Sequence, residues 1–362
     1  MDRPKLEKWW RQVISGASPK GLDQVARGAL YAGSLPFEAV SRLRGFFFEA
    51  GVLPVLKLPV PVISFGNLTV GGTGKTPAAI WCAKLLVAKG MAPGIASRGY
   101  APEGETAESP NDEAALIKEV LPEVPHVWDA DRCRAAAKLV KEHHCNVVIL
   151  DDGFQHRRLH RTLDFLLLDA MNPFGYRFML PRGLLREPIV ALKRATMVIV
   201  TRANLVSRDE VQKIFREIRE IDENVKLAEA VHRPTGIHFA DGTVEPPEWL
   251  KGKKVFVFCG IGNPHAFVNT LTNLGGKVVG MRSFGDHHSY TEEDIAAVMS
   301  DASAHGAELV VTTQKDRVKT GWRDASAARF GELRIEFEVI KGREAVESTI
   351  SFLVNGFQSS TA

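Results

Sequence analysis

The stretch Ser64-Phe65-Gly66-Asn67-Leu68-Thr69-Val70-Gly71-Gly72-Thr73-Gly74-Lys75-Thr76 has the composition of a phosphate cradle. Gly71, Gly72 and Gly74 let the backbone turn sharply with its N–H groups facing inward. Lys75 can meet a β- or γ-phosphate, and Thr76 carries the hydroxyl expected on Mg2+. If a helix opens at Thr76, its free N–H groups and dipole add to the attraction. The usual spacing has glycine where this chain has Thr69, and the nearest earlier glycine is Gly66. A flexible surface turn would explain the glycines but leave Gly-Lys-Thr at a strand–helix junction to chance. The segment from Thr69 and Val70 through Gly71, Gly72, Thr73, Gly74, Lys75 and Thr76 is read as nucleotide-binding.

Two further clusters carry chemistry. Val147 to Leu150 are apolar and run into Asp151-Asp152-Gly153. Strand ends of an open parallel sheet share one crevice, so Asp151 or Asp152 can face Thr76 and Mg2+. Paired carboxylates make sense when one binds metal and the other holds a metal-bound water or a basic side chain. Asp286-His287-His288 is the second cluster. One of its histidines could polarise a group or receive a proton at the mouth of the crevice. A zinc site with His265 lacks a cysteine or further histidine at the usual spacing. A loop histidine bonded to backbone is the plainer alternative.

These residues need elements to hold them. Pro59 to Phe65 reads as a buried strand and Ala78 to Lys89 as a helix. Ala92 to Ser97, Val124 to Trp128, Phe165 to Leu168 and Met197 to Val200 read as further strands, the all-apolar ones buried on both faces. Asp131 to His143 reads as a helix capped by Asp131, and Asn111 as a cap for a helix through Val120. Gly236 to Ala240 and Thr243 to Glu245 flank Asp241-Gly242, a hairpin signal. In the second half, strands are expected at 254–259, 278–281 and 309–312, and helices at 267–274 and after a Thr291–Asp294 capping box. Leu333 to Ile340 is expected to be an antiparallel edge strand, followed by a helix from Glu344 to Leu353 and a frayed end from Phe357. The fold class is α/β: a P-loop NTPase-type, mostly parallel sheet with helices on both faces, a smaller α/β second domain, and an N-terminal membrane-facing helical segment. The expected domains are residues 1–58 (amphipathic helices packed on the P-loop domain), 59–228 (P-loop domain), 229–248 (two-stranded linker) and 249–362 (second domain, its end returning to the first).

A chain of 362 residues is long for one core, and 45% hydrophobic with 25% charged residues describes an ordinary globular protein. A formal charge of +3 gives no case for nucleic acid, and no obligate protein partner is inferred. Cys82, Cys133, Cys145 and Cys259 lie far apart with no CxxC, as expected of reduced core thiols. No signal peptide or membrane-spanning run is expected. Residues 1–58 carry nine Lys/Arg against five acidic residues, interleaved with Trp9, Trp10, Tyr31, Phe37 and Phe46-Phe47-Phe48. Helices at about 4–15 and 22–50 would set Leu30, Leu35, Phe37, Val40, Leu43, Phe46 and Phe47 on one face. Such a face suits peripheral contact with an anionic membrane; plain packing on the next domain is the alternative.

The chain resembles the tetraacyldisaccharide 4'-kinases of lipid A biosynthesis. The resemblance rests on SFGNLTVGGTGKTP at 64–77, SRGY at 97–100, NDEA at 111–114 and LDDGFQHRRLHRTLDFLLLDA at 150–170. LPRGLLREP at 180–188, GIGNPHAF at 260–267, DHHSYT at 286–291 and TTQKDRVK at 312–319 extend it, in family order. It implies a kinase at the cytoplasmic face of the bacterial inner membrane, using ATP and Mg2+ on the 4'-hydroxyl of an acylated disaccharide-1-phosphate. It implies that Lys75 and Thr76 hold phosphate and Mg2+, that Asp112 is the base, and that Glu113 belongs to the metal shell. Asp151 and Asp152 would support Mg2+ and the phosphate site, Gln155 and His156 would line the same pocket, and Arg98 and Arg186 would contact phosphate. His287 would pair with Asp112, and the domains would close during catalysis. Gly-Asp-Glu-Pro is usual around the base; here it is Asn111-Asp112-Glu113-Ala114. The family itself uses the Thr69 form of the loop. A GTPase is a rival reading, but Gln314-Lys315-Asp316 lacks the asparagine of a guanine motif. A soluble small-molecule kinase and a nucleotide-gated module acting on a membrane partner are the others; the module would need no base.

Overall fold

The computed structural model describes residues 3–16, 21–99, 112–286, 288–320 and 329–361. In chain order, α1 (Arg3–Ser15) and α2 (Gly21–Glu49) precede β1 (Val62–Gly66), α3 (Lys75–Ala88), β2 (Pro93–Arg98), α4 (Asp112–Val120) and β3 (His126–Asp129). Then come α5 (Arg132–Lys141), β4 (Val147–Asp151), β5 (Leu163–Asp169), β6 (Met197–Thr201), α6 (Arg208–Ile221), β7 (Lys226–Phe239) and β8 (Val244–Glu245). β9 (Lys254–Cys259), α7 (Pro264–Asn273), β10 (Lys277–Ser283), α8 (Glu292–Ala304), β11 (Leu309–Thr313), α9 (Gln314–Thr320), β12 (Arg329–Lys341) and α10 (Arg343–Thr361) follow.

The chain divides into two units. The first holds α1–α3, β1–β6, α5, α6, β7 as far as Val231, β12 from Phe337, and α10. Its strands run β7-β6-β5-β1-β4-β2-β3, all parallel. Parallel pairing puts the C-terminal ends of β1, β4, β5 and β6 on one edge, with Phe65 opposite Asp151 and Asp169 opposite Thr201. Val148-Ile149-Leu150 and Val198-Ile199-Val200 are wholly buried, as strands covered on both faces must be. The Phe65 and Phe165 rings stack at 5.1 Å across β1 and β5. Sequence reasoning did not anticipate α6. Its signals were Ser207, whose hydroxyl accepts from the Glu210 N–H, and Val211, Ile214 and Ile218 on one buried face. Each of those side chains stabilises by about 1.5–3 kcal/mol.

The second unit holds α4, the remainder of β7 and β12, β8–β11 and α7–α9. Here β10, β9, β11 and β12 are parallel neighbours, β12 lies beside β7, and β8 pairs antiparallel with β7 around Asp241-Gly242. Three expectations change. The 333–340 segment is not an antiparallel edge: β12 spans Arg329–Lys341, is parallel to β11 and lies inside the sheet. Its buried side chains include Glu332, which is paired with Arg317 and Arg334 and so tolerates an interior position. α4, expected in the 59–228 domain, belongs to the second unit, while the chain crosses within β7 at Val231/His232, inside the 229–248 stretch, and crosses back within β12 at Glu336/Phe337. The last helix continues to Thr361 past the expected fraying point.

The N-terminal helices belong to the first unit. Val13 and Ile14 are buried, and Trp10 Nε1 donates to the Pro181 carbonyl at 2.8 Å. On α2, by contrast, Leu35, Phe37, Val40, Leu43, Phe46 and Phe47 are all exposed, Val40 and Phe46 by more than 60%. Of the three consecutive phenylalanines only Phe48 is buried, flanked by the guanidinium groups of Arg44 and Arg157. Among the described residues no helix is long and apolar enough to cross a membrane. All four cysteines are buried free thiols.

Candidate active site

The loop expected to cradle phosphate joins β1 to α3. Gly66 leaves β1 where a Cβ would come within 2.4 Å of Phe154, so no larger residue fits. Thr69 is buried and bridges to Leu185, while the Val70 N–H donates to the Leu184 carbonyl at 2.8 Å. Gly71 has φ 114°, and Gly74, at φ 90°, caps α3 in the left-handed region that glycine occupies without strain. Lys75 and Thr76 therefore form the first turn of a 14-residue helix, where unpaired N–H groups and the dipole favour an anion.

β4 delivers the carboxylates. Asp151 is buried, and the Thr76 hydroxyl donates to its Oδ2 at 2.7 Å. Asp152 turns the chain in the left-handed region (φ 57°), and Gly153 follows because a Cβ there would lie 2.5 Å from Ser64 Oγ. The turn sends the two carboxylates to different partners. Arg186 donates as a fork to Asp152, Nη1 at 3.0 Å and Nη2 at 2.8 Å, and its Nη2 also meets the Asn67 side chain. Lys75 Nζ stands 3.7 Å from Asp152 Oδ1. Burial acts to raise the Asp152 pKa, but Lys75, Arg186 and Arg132 together hold it far below the usual carboxylate range. Asp152 is thus an anion that gathers cations. Asp151 and Thr76 offer hard oxygen donors side by side, a set that suits Mg2+.

Gln155 and His156 sit on the same turn. Gln155 Nε2 donates to the Asn67 carbonyl at 2.8 Å, bracing the loop. His156 Nε2 lies 3.5 Å from Cys133 Sγ; burial first, and the charge of Arg132 second, hold its pKa down to about 4. It is neutral at physiological pH. Asp131, Cys133 and His156 lie within ligand reach of one another. Asp131, however, caps α5 through the Cys133 N–H and pairs with Arg158, and the surrounding arginines oppose a cation there. Arg98, at the end of β2, is exposed.

Four groups escaped sequence reasoning. Arg132 follows the Asp131 cap and is buried, a position where burial works against its charge while Asp152 and Asp151 support it. Asn67 holds the loop from its own start, and Arg202, anchored on Asp169, holds it from outside. Each stands at or just past the end of a parallel strand, which was the signal available.

The two residues expected to handle the proton, Asp112 and His287, belong to the second unit. Asp112 opens α4, but its side chain, like His287, lies outside the described residues. Glu113 is half-buried on the same turn. α4 is fastened at its far end, where Glu119 accepts from Gln314 Nε2 at 3.1 Å, from Arg334 at 2.8 Å and from Arg317. His288 is committed elsewhere. Its Nε2 meets Asp294 Oδ2 at 2.8 Å, inside the Thr291–Asp294 capping box, and its ring stacks on Phe284 at 4.7 Å.

A family model described as Tetraacyldisaccharide-1-P 4'-kinase matches residues 26–354. A tetraacyldisaccharide 4'-kinase of Anaeromyxobacter sp. (strain K) is 37% identical over 360 residues, covering 94% of this chain and 93% of that protein. One from Geobacter metallireducens is 38% identical over 315 residues, covering 83% and 90%. The crystal structure of the "apo" form of LpxK from Aquifex aeolicus in complex with ATP matches with a TM-score of 0.67 at 28% identity, covering 91% of this chain and 99% of that one. These matches extend through both units, and the chain belongs to the tetraacyldisaccharide-1-P 4'-kinase family.

Proposed function

We propose that the protein transfers the γ-phosphoryl group of ATP to the 4'-hydroxyl of a tetraacyldisaccharide 1-phosphate, working peripherally at the cytoplasmic face of the bacterial inner membrane. The observation that carries this reading is the joined pair Thr76–Asp151, beside Asp152 with its cations Lys75 and Arg186, all at the mouth of a glycine-rich turn. That is a donor-side phosphoryl-transfer apparatus, and the family supplies the acceptor. The ATP held by the Aquifex aeolicus relative supports ATP as the donor here.

The roles follow from the chemistry. Thr69 and Val70 brace the loop against Leu184 and Leu185, the amides of Gly71, Gly72, Thr73 and Gly74 bind phosphate oxygens, and Lys75 neutralises the β/γ-bridge. Thr76 and Asp151 would hold Mg2+, which supplies charge neutralisation to the phosphates when bound. Asp152 gathers Lys75 and Arg186 beside the loop; Arg186 and Arg98 then meet phosphate. Gln155 and His156 close the pocket floor as neutral donors and acceptors. Asp112 takes the proton of the attacking hydroxyl, and His287 orients its carboxylate. A carboxylate at a helix start is a weak base by itself, since N–H groups and the dipole lower its pKa, and an imidazole partner compensates by orienting it toward the hydroxyl and by taking up charge as the proton transfers. The exposed apolar face of α2 rests on the bilayer that holds the acylated substrate.

The test is incubation with ATP, Mg2+ and the tetraacyl disaccharide 1-phosphate, read by mass spectrometry. A product heavier by one phosphoryl group, absent without ATP, is expected. Hydrolysis of ATP with unchanged lipid would refute the kinase reading in favour of a nucleotide-gated module.

A further inference from the structure

Three successive carbonyls at the crest of the loop are each held by a side chain, one from the loop's own start and two from the end of β6. Asn67 Nδ2 donates to the Gly71 carbonyl at 3.4 Å, Arg202 Nη2 to the Gly72 carbonyl at 2.7 Å, and the Thr201 hydroxyl to the Thr73 carbonyl at 2.9 Å. In a trans peptide the C=O of one residue and the N–H of the next point in opposite directions. Fixing those carbonyls therefore turns each of the Gly72, Thr73 and Gly74 N–H groups away from the donor that holds its peptide. Successive N–H groups aimed one way form an anion-binding concavity.

Arg202 is the strongest of the three. It stands just past β6 in the left-handed region (φ 54°), and its side chain is only 12% exposed. The second arm of its fork grips Asp169, at the end of β5, and Asp169 Oδ1 is itself fixed by the Met171 N–H at 3.1 Å. The guanidinium thus ties two strand ends to one peptide of the loop. A planar fork can span a carboxylate and a carbonyl at once, which the point charge of a lysine cannot do. A cation behind the Gly72 carbonyl also polarises that peptide and makes the Thr73 N–H a better donor.

We propose that Arg202 is a positioning residue for nucleotide binding: through the Gly72 carbonyl, with Thr201 and Asn67 assisting, it sets the direction of the loop amides that receive phosphate. This rests on the nucleotide reading above and goes beyond it by assigning the loop's orientation to a group that touches no substrate.

The experiment is calorimetric titration of the full chain with ATP and Mg2+, alongside kcat and KM for ATP and nucleotide-free melting. Loss of one charge-assisted hydrogen bond predicts a rise in Kd of about 10- to 100-fold for Arg202→Ala, with kcat at saturating ATP reduced only a few-fold. Low, non-denaturing guanidinium should restore affinity to Arg202→Ala, and an equal concentration of urea should not. Asp169→Asn should weaken binding in the same direction and add little to Arg202→Ala. Should the alanine variant fail to fold, Arg202→Lys decides: weaker ATP binding at unchanged melting supports the proposal. Wild-type ATP affinity in a folded Arg202 variant overturns it. Absence of ATP binding by the unaltered protein overturns the nucleotide reading itself, and this inference with it.

Discussion

Replacing Arg186 separates support from catalysis. Its fork gives Asp152 two charge-assisted hydrogen bonds, each worth about 1.5–3 kcal/mol where water is excluded. The side chains are 22% and 28% exposed, so solvent screening reduces the pair to roughly 2 kcal/mol. In Arg186→Ala, Asp152 should draw in Lys75, which stands 3.7 Å away in the unaltered chain. At an effective dielectric constant of 20 that attraction is about 4 kcal/mol before screening, enough to hold Lys75 from a phosphate. Melting should fall by about 4–8 °C, since each kcal/mol moves a unit of this size by some 2–4 °C. The kinetic effect should be larger: an arginine that compensates charge on a transferring phosphoryl group is worth about 10³-fold or more. Lysine at 186 should recover much of the melting loss but little of kcat, because it cannot reproduce the fork. Scanning calorimetry and single-turnover kinetics well below the melting temperature measure the two separately. An Arg186→Ala variant that melts lower yet transfers phosphate within a few-fold of normal would refute the charge-compensation role and leave Arg186 a brace for Asp152.

Asp112→Ala and His287→Ala should each lose far more kcat than ATP affinity, and the double variant should be scarcely worse than the poorer single one; additive losses in a kcat/KM cycle would dissolve the pair. Acid should destabilise the first unit through His126, whose pKa burial holds down to about 4. The folded pKa lies below the unfolded value of about 6.5, so the neutral ring's contribution is complete above that value and is lost as pH falls toward 4. The shift corresponds to roughly 3 kcal/mol, and urea unfolding at pH 7 and pH 5 should show a smaller loss for His126→Gln than for the unaltered chain. Sedimentation with anionic vesicles should weaken in Phe46→Glu and Leu43→Glu, and weaken partly in high salt. Unchanged sedimentation in both variants would remove α2 from the membrane face.

The donor side of the site was legible because its chemistry is local. Gly74, Lys75 and Thr76 are consecutive, and a phosphate loop needs only a strand before it and a helix after it. Asp151 was legible for a related reason, since four apolar residues ending in an acid describe a strand end of a parallel sheet. The groups that escaped are those whose role depends on a neighbour far along the chain. Arg132 reads as one basic residue in a polar helix until β4 brings Asp151 and Asp152 to it. Arg202 reads as a strand-end arginine until the loop carbonyl arrives 130 residues away in sequence. β12 went astray because alternation over Leu333 to Ile340 looks like an edge, and the pairing that buries Glu332 comes from Arg317 and Arg334. Sequence patterns report what a residue prefers, and an ion pair can override that preference.

The N-terminal helices and the phosphate loop share one support. Residues 174–186 fold into a tight excursion between β5 and β6, with Gly175 at φ 54° and no room at Gly183, where a Cβ would lie 2.2 Å from the Phe178 carbonyl. One side of it seats the helices. Trp10 donates to Pro181, Arg182 donates to the Ile14 carbonyl at 3.0 Å and lies over the Phe178 ring, and Tyr31 meets that ring edge-on at 5.8 Å. The other side is stitched to the loop. Leu184 accepts from the Val70 N–H, the Arg186 N–H donates to the Leu68 carbonyl at 2.7 Å, and a Cβ at Gly175 would come within 2.7 Å of the Thr69 methyl. A close-packed segment bonded along both sides cannot shift on one side alone, because interiors at this density transmit displacement rather than absorb it. The seat of α1 and α2 and the line of the Thr69–Val70 backbone are therefore fixed by the same atoms. For the proposed transfer to a lipid held in a bilayer, that common support would keep the glycine-rich loop in register with the helices proposed to meet the lipid.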